Sequence, residues 1–273
     1  MKLSLSVRVA ESSTRKDRAE MPLEELAPLA RAAGFRALSM RASAVSVDTK
    51  PDRLRDIRAL LDREGLGVSM VTGNVALAAN TPEASDALRD IGPHLDLAEA
   101  LGAKLVRVMI RTADDIPHAQ RAADQAAERG LSIAQQTHWG TLCETVDQAL
   151  DLVSAVDRPG FGITFEPANL LGCGGEYGPD AIARLAPHLA NVYFQNVRLN
   201  PDGAHCFPTR AKGDVRLDYV ALDDPSGMDA AEMVAALKAS GYDGWVTVHQ
   251  PLRSGETVAD AVEEAARVFG ALV

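Results

Sequence analysis

A chain of 273 residues with 47% hydrophobic and 24% charged residues has the balance of an ordinary globular protein of one or two domains, which excludes a collagen, a coiled coil or a disordered chain. Lys and Arg number 28 against 38 Asp and Glu, a formal net charge of −10. That charge disfavours general binding to nucleic acid or an anionic membrane, but it leaves room for a local cluster of arginines around a small anion.

Taken in chain order, short strand-type runs alternate with amphipathic helical runs. Lys2–Val9 is followed by a helical pattern over 22–33, and Ala37–Ala42 by one over 51–64. Gly67–Thr72 precedes 83–101, Leu105–Ile110 precedes 114–129, and Ser132–Thr137 precedes 144–156. Gly162–Glu166 precedes 178–186, Asn191–Asn196 precedes 229–239, and Trp245–His249 precedes 257–271. Thr49–Asp52, Thr145–Gln148, Asp229–Glu232 and Thr257–Asp260 read as capping boxes or their relatives. Gly34, Gly65, Gly102, Gly130 and Gly241 stand where helices should end.

Eight such units in 273 residues average about 34 residues each, close to the ~30 of a βαβ unit. Strict alternation without a polar linker implies one parallel sheet covered by helices. The pattern predicts a single α/β domain over 1–273, a (β/α)8 TIM barrel. An open doubly wound sheet carries a GxGxxG turn after its first strand, and here Glu11-Ser12-Ser13-Thr14 follows instead. Gly-Cys-Gly-Gly at 172–175 reads as a plain glycine-rich loop. The seventh βα loop, 200–227, is long, and loops beyond ~15 residues are often lids or disordered. It carries His205, Cys206, Arg210, Lys212, Asp214 and Tyr219, so both a lid and a solvated insertion stay open.

Cys143, Cys173 and Cys206 form no CxxC, which argues against a disulfide framework and fits a reducing cytosol. The N-terminal residues lack the apolar core of a signal peptide, and no window approaches a membrane span. A cytoplasmic location is expected, with no nucleic-acid and no membrane partner; homo-oligomerisation stays open.

In a barrel of this kind chemistry sits at the C-terminal ends of the strands. There the chain places Gln136-Thr137-His138 with Gly140, Glu166-Pro167-Ala168-Asn169, Tyr193-Phe194-Gln195-Asn196, and Gly241-Tyr242-Asp243-Gly244-Trp245 leading to His249. In these motifs, and along essentially its whole length, the chain resembles the xylose isomerase-like barrels, the superfamily of sugar phosphate isomerases and epimerases, inosose dehydratases and an AP-endonuclease branch. Members of that family typically end the same strands in Glu-x-His, Asp, His-x-Lys-Asp and Glu. They hold one divalent cation with Glu, Asp, His and Glu. Carried over residue by residue, the resemblance implies Gln136, Glu166, Tyr193 or Gln195, and His249 as the ligand set.

The altered positions reduce the formal ligand charge from about −3 to −1, which weakens a hard-cation site. Such a set suits a borderline divalent metal (Mn, Zn or similar), or the metal is lost. Gln136 cannot take a proton, whereas His249 and Glu166 can. The resemblance therefore implies a sugar isomerase or epimerase acting on a small carbohydrate or sugar acid through an enediolate. A dehydratase or decarboxylase of a keto-sugar acid is the alternative enzyme, and a non-catalytic sugar-binding barrel or enzyme subunit the alternative of another class. His249 is expected as base, Glu166 as ligand or second acid/base, and Gln136 and Gln195 as weak ligands. His138, Asn169 and Asn196 are expected as substrate contacts. Arg8, Arg41, Arg111 and Arg198 lie near predicted strand ends and hint at an anionic sugar derivative, with Arg8, Arg111 and Arg198 as candidate binding residues.

Overall fold

The computed structural model describes residues 1–273. Eight parallel strands close into a barrel: β1 (Lys2–Ser6), β2 (Ala37–Met40), β3 (Gly67–Val71), β4 (Leu105–Val108), β5 (Ser132–Gln136), β6 (Phe161–Phe165), β7 (Leu189–Phe194) and, last in the chain, β11 (Trp245–Val248), which pairs with both β7 and β1. Strands β8 (Val197–Leu199), β9 (His205–Thr209) and β10 (Gly213–Tyr219) form a separate antiparallel sheet in the order β8-β10-β9. The principal helices outside the barrel are α1 (Leu23–Ala32), α2 (Pro51–Glu64), α4 (Gly92–Leu101), α5 (Ile116–Glu128), α6 (Val146–Val156), α8 (Pro179–Leu185), α9 (Ala230–Ala239) and α10 (Val258–Phe269). Two short helices, α3 (Val75–Ala79) and α7 (Pro167–Gly172), follow β3 and β6. No helix is long and apolar enough to cross a membrane.

Strand alternation separates two environments. Leu3, Leu5, Leu38, Val106, Val108, Ile133, Ile163, Phe165, Val192, Phe194, Val246 and Val248 belong to the main core shared with the helices. The other face of the same strands meets inside the barrel, where polar groups bond across the lumen: Ser4 to Ser69 at 2.8 Å, Ser39 to Tyr193 at 2.7 Å, and Thr247 to Asn191 at 3.2 Å. A small apolar cluster of Met70, Leu105, Ala134 and Tyr193 lies apart from the main core. Small and polar side chains thus replace the bulky Val/Ile/Leu layers that commonly fill such a barrel.

Four local differences from the sequence pattern have simple causes. β1 stops at Ser6, whose Oγ accepts the Arg8 N–H at 3.2 Å and turns the chain into a 3-10 helix over Val7–Ala10. The stretch 83–101 is not one helix: a 3-10 turn (Pro82–Leu88) precedes α4, because Pro93 lacks an N–H and belongs in a first turn. Lys50, not Thr49, precedes α2, and Thr49 Oγ1 instead accepts from Ser46 N. The 200–227 segment carries β9 and β10, because Phe207 and Leu217 give the hairpin an apolar face to bury.

The top of the barrel is tied by an ion pair. Arg41, just after β2, gives a bidentate contact to Glu11 at 2.9 and 3.0 Å, and both are buried. Lys16 reaches the same carboxylate at 3.2 Å. Burial alone would raise the Glu11 pKa, but Arg41 and Lys16 reverse this and hold it below the ordinary glutamate value. A carboxyl lowered on folding stabilises fully above its unfolded pKa and loses that contribution as pH falls through the folded value. Glu11→Ala is expected to cost about 3–5 kcal/mol at pH 7, because it strands a buried guanidinium. Urea unfolding of both proteins checks this, and the gap should narrow as pH falls below ~4.

A candidate active site at the mouth of the barrel

A cavity of ≈ 180 Å³ opens at the C-terminal ends of the strands. It is smaller than the ~300–1,000 Å³ of pockets for drug-sized ligands, and so suits a small substrate. Gln136 from β5, Glu166 after β6, Gln195 after β7 and His249 after β11 all line it. Four positions far apart in sequence are therefore brought together by register in the closed sheet.

Glu166 is the centre of this group. Gln195 Nε2 donates to its Oε1, while Gln136 Nε2 and Asn169 Nδ2 donate to its Oε2. Thr137 fixes the backbone beneath it, with Oγ1 accepting the Glu166 N–H at 2.7 Å. Glu166 is fully buried, and burial pushes its pKa up to about 7 against the opposing pull of Arg8, Arg107 and Arg41. Asn169 lines the cavity, but its amide nitrogen is committed to Glu166 and to the Thr137 carbonyl, both at 2.9 Å.

Two imidazoles face the same space. His138 Nδ1 meets the Trp139 carbonyl at 2.8 Å and must be the protonated nitrogen, since a carbonyl only accepts. Its Nε2 lone pair is left to the cavity. Burial, then Arg107, lowers its pKa to about 3. His249 stacks on Tyr193 with ring centroids 3.9 Å apart, and its Nδ1 lies 2.9 Å from Ser6 Oγ. Ser6 Oγ, which accepts the Arg8 N–H, can donate its own proton to His249 Nδ1. That tautomer presents Nε2–H to the cavity. Burial, with Arg8, Arg41 and Arg107 nearby, holds the ring well below the ordinary histidine value and hence neutral. Of the two family-aligned positions on β7, Gln195 reaches the cavity, whereas Tyr193 bonds to Ser39 beneath His249.

The arginines divide sharply. Arg8 enters the cavity, donating from Nη1 to Gln195 Oε1 at 2.9 Å and from Nη2 to Tyr219 Oη at 3.1 Å. Arg41 also lines it. Arg111 does not; it lies behind Gly140 beside the Met109 sulfur, at 3.8 Å. Arg198 is on the exposed side of β8 and faces Asp218 at 3.5 Å. Asn196 is not a substrate contact either. Its side chain donates to the Ala221 carbonyl at 2.8 Å and accepts from Met228 N at 2.7 Å, pinning the segment before α9.

Arg107 is the residue that pattern reading passed over. In Leu-Val-Arg-Val it lies within an apparently apolar strand, and its guanidinium reaches the cavity wall. Period-two alternation was the available signal, since Arg107 falls on the face opposite Val106 and Val108.

The roof is the β9–β10 hairpin, which contributes His205, Cys206, Phe207 and Tyr219. Glu144 anchors its tip. Its carboxylate accepts from Gly140 N at 2.6 Å, Arg210 N at 3.0 Å and Ala211 N at 3.4 Å. The glycine-rich segment at 172–175 is the other half of this dock. A Cβ on Gly172 would come within 2.7 Å of the Phe207 ring, and Gly174 adopts φ +73, with Lys212 packed against it.

Comparisons with known proteins bear on the fold and the family. The family model of the xylose isomerase-like TIM barrel matches residues 27–272. The chain belongs to this family. It is 24% identical over 179 residues to an inosose dehydratase of Lacticaseibacillus casei, an alignment covering 57% of this chain and 60% of that protein. The curated relative is thus spanned over less than two thirds of its length. Among solved structures, the probable 3-DHS dehydratase AsbF of Bacillus anthracis superposes with a TM-score of 0.69 at 15% identity, covering 99% of both chains. A xylose isomerase-like TIM barrel protein from Mycobacterium smegmatis in complex with magnesium gives 0.68 at 16% identity, covering 100% of this chain and 96% of that one.

A divalent metal fits these side chains poorly. The four family-aligned positions offer one carboxylate, two neutral amides and one imidazole, and no group of three or more His, Cys, Asp or Glu is arranged to hold a metal ion. Both Glu166 oxygens are already taken by amide N–H groups, and Arg8, Arg41 and Arg107 line the same cavity. Hard cations want several carboxylate or carbonyl oxygens free of competing donors.

The dock makes a mechanical prediction. Gly172→Ala should loosen the hairpin by the ~1–3 kcal/mol typical of overpacking. Hydrogen exchange should therefore accelerate over 205–219 and stay unchanged in the barrel strands. Glu144→Ala should do the same.

Proposed function

We propose that this chain is an enzyme that removes a proton next to the carbonyl of a small polyhydroxylated substrate, a sugar or sugar acid, and completes the reaction by loss of water from the adjacent carbon. The observation that carries this reading is the single carboxylate, Glu166, held by three amide groups in the same small cavity as the neutral His249.

Oε1 of Glu166 accepts a single N–H, from Gln195, and keeps a lone pair for a proton, and a buried carboxyl with a pKa of about 7 is well matched to take one at neutral pH. His249 is better placed as electrophile than as base. Its surroundings keep it neutral, and its Nε2–H can donate to the substrate carbonyl as negative charge develops there. Arg8 Nη1 reinforces that charge from the same side. Glu166 then returns its proton to the departing hydroxyl on the same face. The C–H and C–O bonds break, a C=C bond forms, and the proton leaves in water. His138 Nε2 accepts from a substrate hydroxyl, and the hairpin roof limits access by bulk water.

Epimerisation with acid/base groups on opposite faces requires a second proton-transfer group, and Gln136, which cannot take a proton, stands where the family has a carboxylate. Isomerisation remains the second reading, because one base can return the proton to the neighbouring carbon through the same enediolate, and membership of the isomerase-like family favours it. The two readings share their first step and differ in the fate of the hydroxyl.

Proton NMR in D2O with a panel of ketoses, sugar acids and inososes tests the shared step. Wild-type protein should exchange the α-proton of at least one of these. Glu166→Gln should slow that exchange by ~10²–10⁴-fold. Product lighter by one water indicates dehydration, and product of unchanged mass indicates isomerisation. Sugar binding without exchange across the panel would move the chain to the non-catalytic class. The rate should rise with pH through about 7 as Glu166 ionises, then level off.

A further inference from the structure

Four cationic side chains, Arg8, Lys16, Arg41 and Arg107, line the cavity, although the protein as a whole carries −10. Their balancing carboxylates are few. Glu11 is occupied by Arg41 and Lys16. Glu166 makes no ion-pair contact with any of the four; its oxygens are taken by amides. Arg8 and Arg107 therefore have only neutral partners. Arg8 bonds to Gln195 Oε1, the His249 carbonyl at 3.3 Å and Tyr219 Oη. Arg107 bonds to the Leu77 carbonyl and to Asn80 Oδ1. The Nε–H of each is buried with no partner at all. Arg107 is 1% exposed, which is where an uncompensated charge is most costly.

We infer that the missing partner is an anionic group on the substrate, a carboxylate or phosphate, seated between Arg8 and Arg107, so that the cavity is an anion site where the family's quartet is a cation site. This rests on reading the cavity as the substrate site and narrows the substrate to a charged derivative. The guanidinium pair suits such a group because it is planar, permanently charged and rich in donors. Binding an anion also removes the repulsion between Arg8, Arg41 and Arg107. Lys16, His205 and Tyr219 also border a wider cleft, where Arg198 and Arg253 are paired with Asp218 and Glu256, so the uncompensated positive charge is confined to the inner cavity. Arg107 acts here as a specificity residue and takes no part in proton transfer.

Calorimetric titration and thermal unfolding of the whole chain test this without turnover, using D-gluconate, D-glucose 6-phosphate, inorganic phosphate, D-glucose and MnCl2 as probes. Gluconate, glucose 6-phosphate or both should bind one per chain and raise the Tm, while D-glucose at the same concentration should not. The stronger of the two sugar anions distinguishes a carboxylate from a phosphate site. Arg107→Met should weaken that binding at least tenfold, yet leave the Tm of the free protein equal or higher, because a costly buried charge is gone. A merely structural arginine would instead lower the free protein's Tm. The inference is overturned if no anion binds better than D-glucose, if Arg107→Met binds as wild type, or if MnCl2 binds stoichiometrically and Glu166→Gln abolishes it. Anion binding that survives when no panel compound exchanges a proton would sink the proposed reaction alone. Exchange on neutral sugars unaffected by Arg107→Met would sink the anion site alone.

Discussion

Every strand of this barrel has two faces, and the whole molecule follows from what each is given. The outward face is aliphatic and meets the helices, so hydrophobic burial closes the barrel from outside. Apart from Met70, Leu105 and Ala134, which pack against Tyr193, the inward face is chiefly polar, with Ser, Thr, Asn, Gln, Glu, Tyr, His and one Arg, and such groups are buried by hydrogen bonding. Ser4–Ser69, Ser39–Tyr193 and Thr247–Asn191 do this deep in the lumen. Nearer the mouth the same rule produces the Glu166 cluster, where three side-chain amides donate to one carboxylate.

That cluster sets the character of the cavity. Because the amides occupy the carboxylate, Arg8 and Arg107 are not neutralised by contact, and burial, reinforced by these charges, keeps both histidines unprotonated. Burial of Glu166 outweighs the arginines and raises its pKa. One carboxyl, two neutral imidazoles and an excess of positive charge are thus consequences of one arrangement. The roof belongs to the same arrangement: Tyr219 is held by Arg8 from below, and Phe207 settles on the bare backbone of Gly172.

How far this was readable from the linear pattern depends on the residue. Gln136, Glu166, Gln195 and His249 were legible because each stands where an apolar run ends, and strand ends of a closed barrel must converge. Arg107 was not, because a charge inside Leu-Val-Arg-Val looks like an interruption until alternation assigns it to the lumen. Asn196, Arg111 and Arg198 have suitable chemistry at suitable positions, yet their side chains serve a loop, a packing contact and an exposed pairing. One residue of difference along a strand reverses the face, so Gln195 enters the site and Asn196 leaves it.

The alternation of period-two and helical segments, with their caps and terminal glycines, was sufficient to specify the eightfold parallel barrel, because local propensity and hydrophobic pattern pointed the same way in each unit. The family model matches nearly the whole of this alternating pattern, residues 27–272. What only the folded chain decided is which polar groups compete for which. The lone carboxylate's capture by three amides, the unpaired state of Arg107 and the docking of the β9–β10 hairpin on Gly172–Gly175 and Glu144 all depend on contacts between residues distant in sequence. Hydrogen bonds saturate, and pKa values respond to every charge within a few ångströms, so the character of each group was settled by neighbours that no linear spacing identifies.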